Sequence, residues 1–144
     1  MKQFLLFLLF VSLSSGLVSF AILQEEPLCE KPDEWPRFPG EADSVYRFLG
    51  AHIKYPYDDK MNGRQGLVKV QFVVETSGKL TNLELLKDKK TFGSTEMEQE
   101  ALRVIGLMPN WIPGTKDGEK VRVQTHLPIK FALRSAKSKK RRNR

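Results

Sequence analysis

Residues 120–131 read KVRVQTHLPIKF, and apolar or small side chains alternate with polar ones over the whole stretch. Successive side chains of a β-strand point to opposite sides, so the alternation predicts one strand with a buried and an exposed face. The positions predicted to face inward are Val121, Val123, Thr125, Leu127, Ile129 and Phe131. Those predicted to face outward are Lys120, Arg122, Gln124, His126, Pro128 and Lys130. Pro128 has no N–H to donate to a neighbouring strand, which predicts that this strand lies at an edge of its sheet.

An edge strand of this length has two interpretations. Its unpaired N–H and C=O groups can recruit an extended peptide, which then adds a strand to the sheet. Alternatively, Lys120, Arg122 and Lys130 protect the edge with charge, and Pro128 blocks pairing with another chain. The residues alone leave both interpretations open.

The segments before this strand predict the rest of the fold. Residues 67–75 alternate as a half-buried strand, and residues 76–79 (TSGK) supply a turn into a second strand over residues 80–87. A helix is predicted over residues 42–53, with Asp43 or Ser44 as the N-cap. Its apolar face consists of Val45, Phe48, Leu49 and Ile53.

A second helix is predicted to begin at a capping box over residues 95–98 and to end before Pro109. Its apolar stripe consists of Met97, Ala101, Val104, Ile105 and Met108. The order helix, strand, strand, helix, strand predicts an α+β fold, a small antiparallel sheet of about three strands with two helices packed on one face.

The charge of the chain is concentrated at its C-terminus. The sequence has 144 residues and a formal net charge of +7, and residues 134–144 contain seven Lys and Arg and no acid. The remainder has 17 basic and 17 acidic residues. This tail is predicted to be disordered, either as a solvated end or in weak contact with an anionic surface. It contains no aromatic side chain to stack on bases, so nucleic acid is not predicted as a partner.

The N-terminus predicts export. Residues 1–21 resemble a signal peptide that would be cleaved after Ala21, since residues 19–21 have the small-x-small form of the cleavage site. The alternative is an uncleaved membrane anchor over residues 4–23. Residues 22–34 are predicted to be a short acidic and proline-containing linker, and residues 35–133 the folded domain. The protein is therefore expected in the periplasm or secreted, or anchored in the inner membrane and facing the periplasm.

Catalysis is not predicted. Two histidines and one cysteine, Cys29, exclude a zinc framework and a disulfide scaffold. His52 lies near a predicted helix end and His126 on the outer face of a strand, and neither has an evident nucleophile beside it. The acids Asp58 and Asp59 are interpreted as part of a solvated loop. No cofactor and no metal site is predicted.

Several motifs in order resemble one family. They are FPG at residues 38–40, IKYP at 53–56, GLVKVQFVV at 66–74, SGKL at 77–80, EALRV at 100–104, MPNWIPG at 108–114 and LPIKF at 127–131. This set resembles the TonB C-terminal domain, in particular the TonB-like proteins of Bacteroidetes, and covers residues 35–133. Glu41 departs from the family pattern, where a second glycine is common.

The resemblance implies a periplasmic, non-enzymatic domain whose last strand pairs with the TonB box of an outer-membrane transporter or with another periplasmic peptide segment. The implied peptide-binding edge comprises Val121, Arg122, Val123, Gln124, Thr125, His126, Leu127 and Pro128. The implied peptide-proximal residues are Lys54, Tyr55 and Pro56. The implied structural motif residues are Phe38, Pro39, Gly40, Gly66, Trp111, Pro113 and Gly114. Isolated domains of this family are prone to pair strands with each other, so the resemblance also allows a homodimer.

A second function is compatible with the resemblance, that of a short membrane-anchored energy transducer with partners of the ExbB and ExbD type. Residues 24–37 would span about 43 Å as polyproline II at ~3.1 Å per residue, and no proline-rich run extends them. The apolar N-terminal segment also lacks the ionisable side chain expected of a helix that couples to protons. The sequence therefore favours a binding module.

Overall fold

The computed structural model describes residues 26–133, so the predicted signal peptide or anchor and the basic tail lie outside the described residues. The helices are α1 (Ser44–His52), α2 (Tyr57–Met61) and α3 (Thr95–Gly106). The strands are β1 (Gly66–Val74), β2 (Leu80–Leu85), β3 (Gly114–Lys116), β4 (Glu119–Val121) and β5 (Val123–Phe131). The first two strands and the last form an antiparallel sheet in the order β2-β1-β5, and β3 and β4 form a separate hairpin. The predicted α+β fold with a three-stranded antiparallel sheet is confirmed.

One face of the central strand β1 has the burial that its alternation predicts, and on the opposite face Val73 is also buried, at 3% exposed. Val70, Phe72 and Val74 are fully buried and Val68 is 4% exposed, so this face of β1 lies in the core. The facing stripe of α3 packs on it, with Met97, Ala101, Val104 and Ile105 all fully buried.

The N-terminus of α3 differs from the prediction. The N-cap is Ser94, whose hydroxyl accepts a hydrogen bond from the Met97 N–H at 3.2 Å. The predicted capping box beginning at Thr95 was wrong by one residue. Serine is a somewhat better cap than threonine, and the hydroxyl of Ser94 also donates to the carboxylate of Asp59, so local preference and a tertiary contact both favour Ser94.

Asp59 itself was interpreted wrongly as part of a solvated loop. It lies in the short helix α2 and is 1% exposed. In addition to the Ser94 hydroxyl, the guanidinium of Arg64 approaches it at 3.4 Å. A buried carboxylate is stable only when its oxygens have such partners, and this one joins α2 to the start of α3.

The predicted strand over residues 120–131 is divided in two. Lys120 and Val121 belong to β4, β5 begins at Val123, and Arg122 lies between them. Arg122 was predicted to face outward but is 9% exposed, because it is ion-paired with Glu75. From Val123 onward the alternation is confirmed: the odd-numbered residues are buried or half-buried and the even-numbered ones exposed.

Within residues 26–133, no helix has both the length and the apolar character needed to span a membrane.

Candidate functional site

The strand β5 lies at an edge of the three-stranded sheet. It pairs with β1 over nine consecutive positions, from Gly66 opposite Phe131 to Val74 opposite Val123. In the part of the chain that the structure describes, β1 is the only strand beside it in the sheet order. The edge position that Pro128 predicts is therefore present.

The register decides which backbone groups of β5 point away from β1. In an antiparallel pair, facing residues alternate between those that exchange hydrogen bonds and those that do not. Pro128 lies opposite Lys69 and has no N–H, so this pair cannot be a hydrogen-bonded one. The Lys69 C=O instead accepts from the Leu86 N–H at 2.9 Å, on the other side of β1.

Leu67 independently indicates the same alternation of hydrogen-bonded and non-hydrogen-bonded pairs, which we call the parity of the strand. It lies opposite Lys130, yet its N–H and C=O exchange hydrogen bonds with Phe92 at 2.7 and 3.0 Å, also on the side away from β5. The pairing of β1 with β5 has no register shift, so the parity holds along the whole strand. The even-numbered residues of β5 therefore turn their backbone groups toward the outside of the sheet.

This outer edge of β5, which we call the free edge, has donors and acceptors in regular order. The donors are the N–H groups of Gln124, His126 and Lys130. The acceptors are the C=O groups of Gln124, His126, Pro128 and Lys130. Groups on alternate residues of a strand are about 6.6 to 6.8 Å apart, which is the repeat that an added strand also presents. The free edge can thus pair with an extended chain of about seven residues.

The side chains that flank the free edge differ between its two faces. Val123, Leu127 and Ile129 are buried in the core, and Thr125 is half-buried beside them. Gln124, His126, Pro128 and Lys130 are exposed on the opposite face. An added chain would therefore place alternate side chains next to the apolar core and next to a polar surface.

Arg122, at the start of β5, is held by the carboxylate of Glu75. Its Nε and one terminal nitrogen donate to the two carboxylate oxygens at 2.6 and 3.1 Å. The two side chains are 10% and 22% exposed, so this bidentate pair is partly removed from solvent. The hydrogen bond from Arg122 holds the pKa of Glu75 below its ordinary value, although burial opposes this shift.

The N-terminal segment of the described chain, residues 26–37, which we call the arm, also reaches this point. The arm runs beside the β3–β4 hairpin, where Glu34 and Thr115 exchange backbone bonds at 3.0 and 3.2 Å and Arg37 and Ile112 do so at 2.8 and 3.0 Å. Further toward its start, the Cys29 N–H donates to the Arg122 C=O at 2.8 Å. Residues 26–34 were predicted to be a linker, and in the structure they contact the hairpin and the start of β5.

A groove of about 390 Å³ separates the arm from β5. The arm contributes Leu28, Cys29 and Glu30, and the sheet contributes Gln71 and residues 124–126. The free edge is thus open to solvent at Gln124 and His126, while the arm lies close by.

The predicted peptide-proximal segment lies at the other end of β5. The ring of Tyr55 meets that of Phe131 edge-on, with centroids 5.8 Å apart, and its hydroxyl donates to the Arg64 C=O. Burial, and next the charge of Asp59, raise the pKa of Tyr55. The Lys54 N–H donates to a carboxylate oxygen of Glu100 at 2.6 Å.

All three residues of the segment 54–56 also line a second groove, which faces α3. Within the segment 54–56, it is Tyr55 that contacts β5, through the ring of Phe131.

The predicted structural motif residues hold the hairpin against the core. Phe38 contacts Phe48 and Trp111 with ring centroids 5.6 and 5.9 Å apart, and Trp111 also meets Phe72 at 5.2 Å. A Cβ on Gly114 would lie 2.9 Å from the Glu34 C=O. These contacts fix the hairpin and the arm relative to the start of β5.

The remaining motif residues allow close packing elsewhere. A Cβ on Gly66 would lie 2.6 Å from the sulfur of Met97, so glycine lets α3 approach the start of β1. Gly40 has a φ of 99°, which glycine adopts readily, and it lies in the turn between Pro39 and α1. Pro113 precedes β3.

Sequence reasoning missed the Glu75–Arg122 pair and the contact of Cys29 with Arg122. Glu75 is 47 residues from Arg122. Lys120 and Arg122 occupy equivalent positions in the alternation, so no local signal separates the exposed cation from the paired one.

The fold and the free edge define a class of protein, a small α+β domain that offers backbone groups at an edge strand. A family model described as the Gram-negative bacterial TonB protein C-terminal matches residues 51–133. The chain belongs to this family.

Solved structures with a similar fold include two NMR structures of the TonB C-terminal domain of Helicobacter pylori. The structure of its residues 179–285 has 22% sequence identity and a TM-score of 0.48, and covers 67% of this chain and 88% of that one. The structure of residues 194–285 has 22% identity and a TM-score of 0.45, and covers 64% of this chain and 92% of that one. A search of curated proteins found no significant match.

Proposed function

We propose that this chain is a periplasmic, non-enzymatic protein-binding module that captures an extended peptide on β5, such as the TonB box of an outer-membrane transporter. The observation that carries the proposal is the free edge, where N–H and C=O groups of Gln124, His126 and Lys130 point away from β1. Family membership supports the choice of partner. The peptide would form backbone hydrogen bonds with these groups and become a fourth strand of the sheet.

The competing interpretation, an edge protected by charge, has less support than the sequence suggested. Lys120 lies in β4, and the guanidinium of Arg122 is occupied by Glu75. Of the protecting residues expected on the strand, Pro128 and Lys130 lie on β5 itself. Residues 124–127 carry no lysine, arginine or acidic side chain, so this half of the edge is open to pairing.

The test is a titration of TonB-box peptides into ¹⁵N-labelled protein, followed by NMR. We expect the largest amide shifts at Gln124, His126 and Lys130, because their N–H groups would gain acceptors. Val123, Thr125 and Leu127 should shift less, since their N–H groups already bond to β1. Absence of shifts along β5 at millimolar peptide would overturn the proposal.

The compartment and the domain boundaries form a separate part of the proposal. We propose cleavage after Ala21, which leaves an exported chain with a short N-terminal segment over residues 22–34, the folded domain over residues 35–133 and a basic tail over residues 134–144. Intact mass measured on protein from its own cells, together with the fraction that contains it, tests this. A soluble chain that begins at Ile22 supports the binding module. A chain that retains Met1 in the membrane fraction supports the anchored energy transducer, and ExbB- and ExbD-type partners should then co-purify with it.

A further inference from the structure

The first part of the arm lies at the same edge of β5 that the proposed peptide would use. Arg122 has the same parity as the even-numbered residues of β5, and its C=O accepts from the Cys29 N–H at 2.8 Å. This is the bond that an added strand would form at its next position beyond Gln124. At Arg122, therefore, a segment of the chain itself already pairs with the edge.

The arm is attached there by side-chain contacts as well. The guanidinium of Arg122 donates to the Glu26 C=O while its other nitrogens bond to Glu75. On the far side of the contact, the Asp117 N–H donates to the carboxylate of Asp33 at 2.7 Å, and the ammonium of Lys116 donates to the Lys31 C=O at 2.9 Å. Contacts on both sides of Cys29 therefore hold residues 26–33 in place where they cross the edge of β5.

The groove leaves the next positions accessible. It lies between residues 28–30 of the arm and residues 124–126 of β5, and Gln124 and His126 are exposed, so this is the space that an extended chain would enter. It cannot reach the Arg122 C=O in the same way, because that acceptor is bonded to Cys29.

We propose that the arm sets the end of the peptide ladder: a bound peptide pairs with residues 124–130, and Cys29 blocks its extension to Arg122. This inference rests on the proposed function and adds the length and register of the peptide. A seven-residue segment then uses the whole accessible edge, and longer peptides gain nothing at the end next to the arm.

The probes are synthetic peptides of alternating valine and threonine with a terminal lysine for solubility. One has a core of seven residues, and two others extend that core by two residues at the N- or the C-terminus. Both extensions are needed because the peptide can add in either direction. The protein variants are Cys29→Pro, which removes the N–H that donates to Arg122, and Cys29→Ser, which keeps it.

In the unchanged protein and in Cys29→Ser, the extension next to Arg122 should leave the dissociation constant unchanged. In Cys29→Pro, the same extension should tighten binding about fivefold, which corresponds to one additional backbone hydrogen bond. An equal gain in all three proteins, or no gain in Cys29→Pro, would overturn the inference.

A measurement without peptide tests the contact itself. The Cys29 amide should exchange its hydrogen more slowly than those of Leu28 and Glu30, and fast exchange at Cys29 would overturn the inference even if Cys29→Pro did not fold. The two proposals can fail separately: binding of the core peptide with the wrong length dependence removes only the inference. Failure of every peptide to bind the three proteins removes the proposed function and the inference that depends on it.

Discussion

Proline at Gln124 or at Thr125 removes one backbone N–H from β5, and the parity of the strand predicts different consequences. Thr125 lies opposite Phe72 in a hydrogen-bonded pair, so its N–H bonds to β1. Gln124 lies opposite Val73 in a pair that is not hydrogen-bonded, so its N–H points to the free edge. The two positions are adjacent, and proline restricts the preceding residue to extended conformations that β5 already has.

The magnitudes follow from this geometry. Thr125→Pro leaves a buried C=O of β1 without its donor and should cost about 2 to 4 kcal/mol of unfolding free energy. For a domain of this size that lowers the melting temperature by about 10 to 25 °C. Gln124→Pro should cost less than about 1 kcal/mol, since no hydrogen bond within the sheet is lost. It should instead weaken peptide binding about fivefold, by the loss of one ladder bond.

The assay is thermal unfolding followed by circular dichroism, together with peptide titration by calorimetry. Gln124→Ala and Thr125→Ala are the matched controls, because they remove the side chains and keep both N–H groups. Equal destabilisation by the two prolines would refute the parity, and with it the free edge. A Gln124→Pro protein that binds peptide as tightly as Gln124→Ala would show that this N–H takes no part in binding.

Three further predictions concern the scaffold of the site. Gly78→Ala should destabilise the protein by at least about 2 kcal/mol more than Gly63→Ala in chemical denaturation. Both glycines have a positive φ, but only at Gly78 would the added Cβ lie 2.0 Å from a backbone oxygen, that of Trp111. Equal losses of stability would show that the backbone moves aside freely. Phe72→Ala should cost about 3 to 5 kcal/mol, since the ring is fully buried, and a loss under 1 kcal/mol would contradict its place in the core. Glu75→Gln should lower stability by about 1 to 2 kcal/mol at pH 7. Because folding lowers the pKa of Glu75, the charged carboxylate stabilises the protein at pH values above its ordinary pKa of 4.5, and this stabilisation is lost as the pH falls through the pKa of the folded protein. The melting temperatures of the unchanged protein and of Glu75→Gln should therefore converge in acid. A difference in melting temperature that persists unchanged at pH 2 would exclude the charge as the cause.

The parts of the fold that follow from the sequence are those with a sustained period. The alternation in residues 67–75 and 123–131 gave the correct buried faces of β1 and β5, since each strand has one face in the core. The stripe on α3 was predicted for the same reason. Pro128 identified the edge, because its missing N–H is a local property that no tertiary contact can restore.

The errors arose where distant residues decide the structure. Asp59 can be buried because Ser94, 35 residues away, donates to its carboxylate. The strand is divided at Arg122 because residues 119–121 pair with β3 and residues 123–131 pair with β1, and Arg122 between them forms a bidentate pair with Glu75. No periodicity signals either contact, since each depends on how β1, α2 and α3 are arranged in space.

The candidate site was located in the sequence only at the level of the strand. The sequence alone could not separate the outward backbone groups at Gln124, His126 and Lys130 from the inward ones, because parity depends on the register with β1. It also could not predict that the arm would reach Arg122, since short acidic and proline-containing segments carry no pattern that specifies a contact.

The central claim is that β5 has a free edge which an extended peptide completes, and amide hydrogen exchange tests it most directly. Without peptide, the amides of Gln124, His126 and Lys130 should exchange fast, and those of Val123, Thr125, Leu127, Ile129 and Phe131 slowly. A saturating TonB-box peptide should slow the first group and leave the second unchanged. Slow exchange of both groups without peptide, or fast exchange of the first group with peptide bound, would contradict the account.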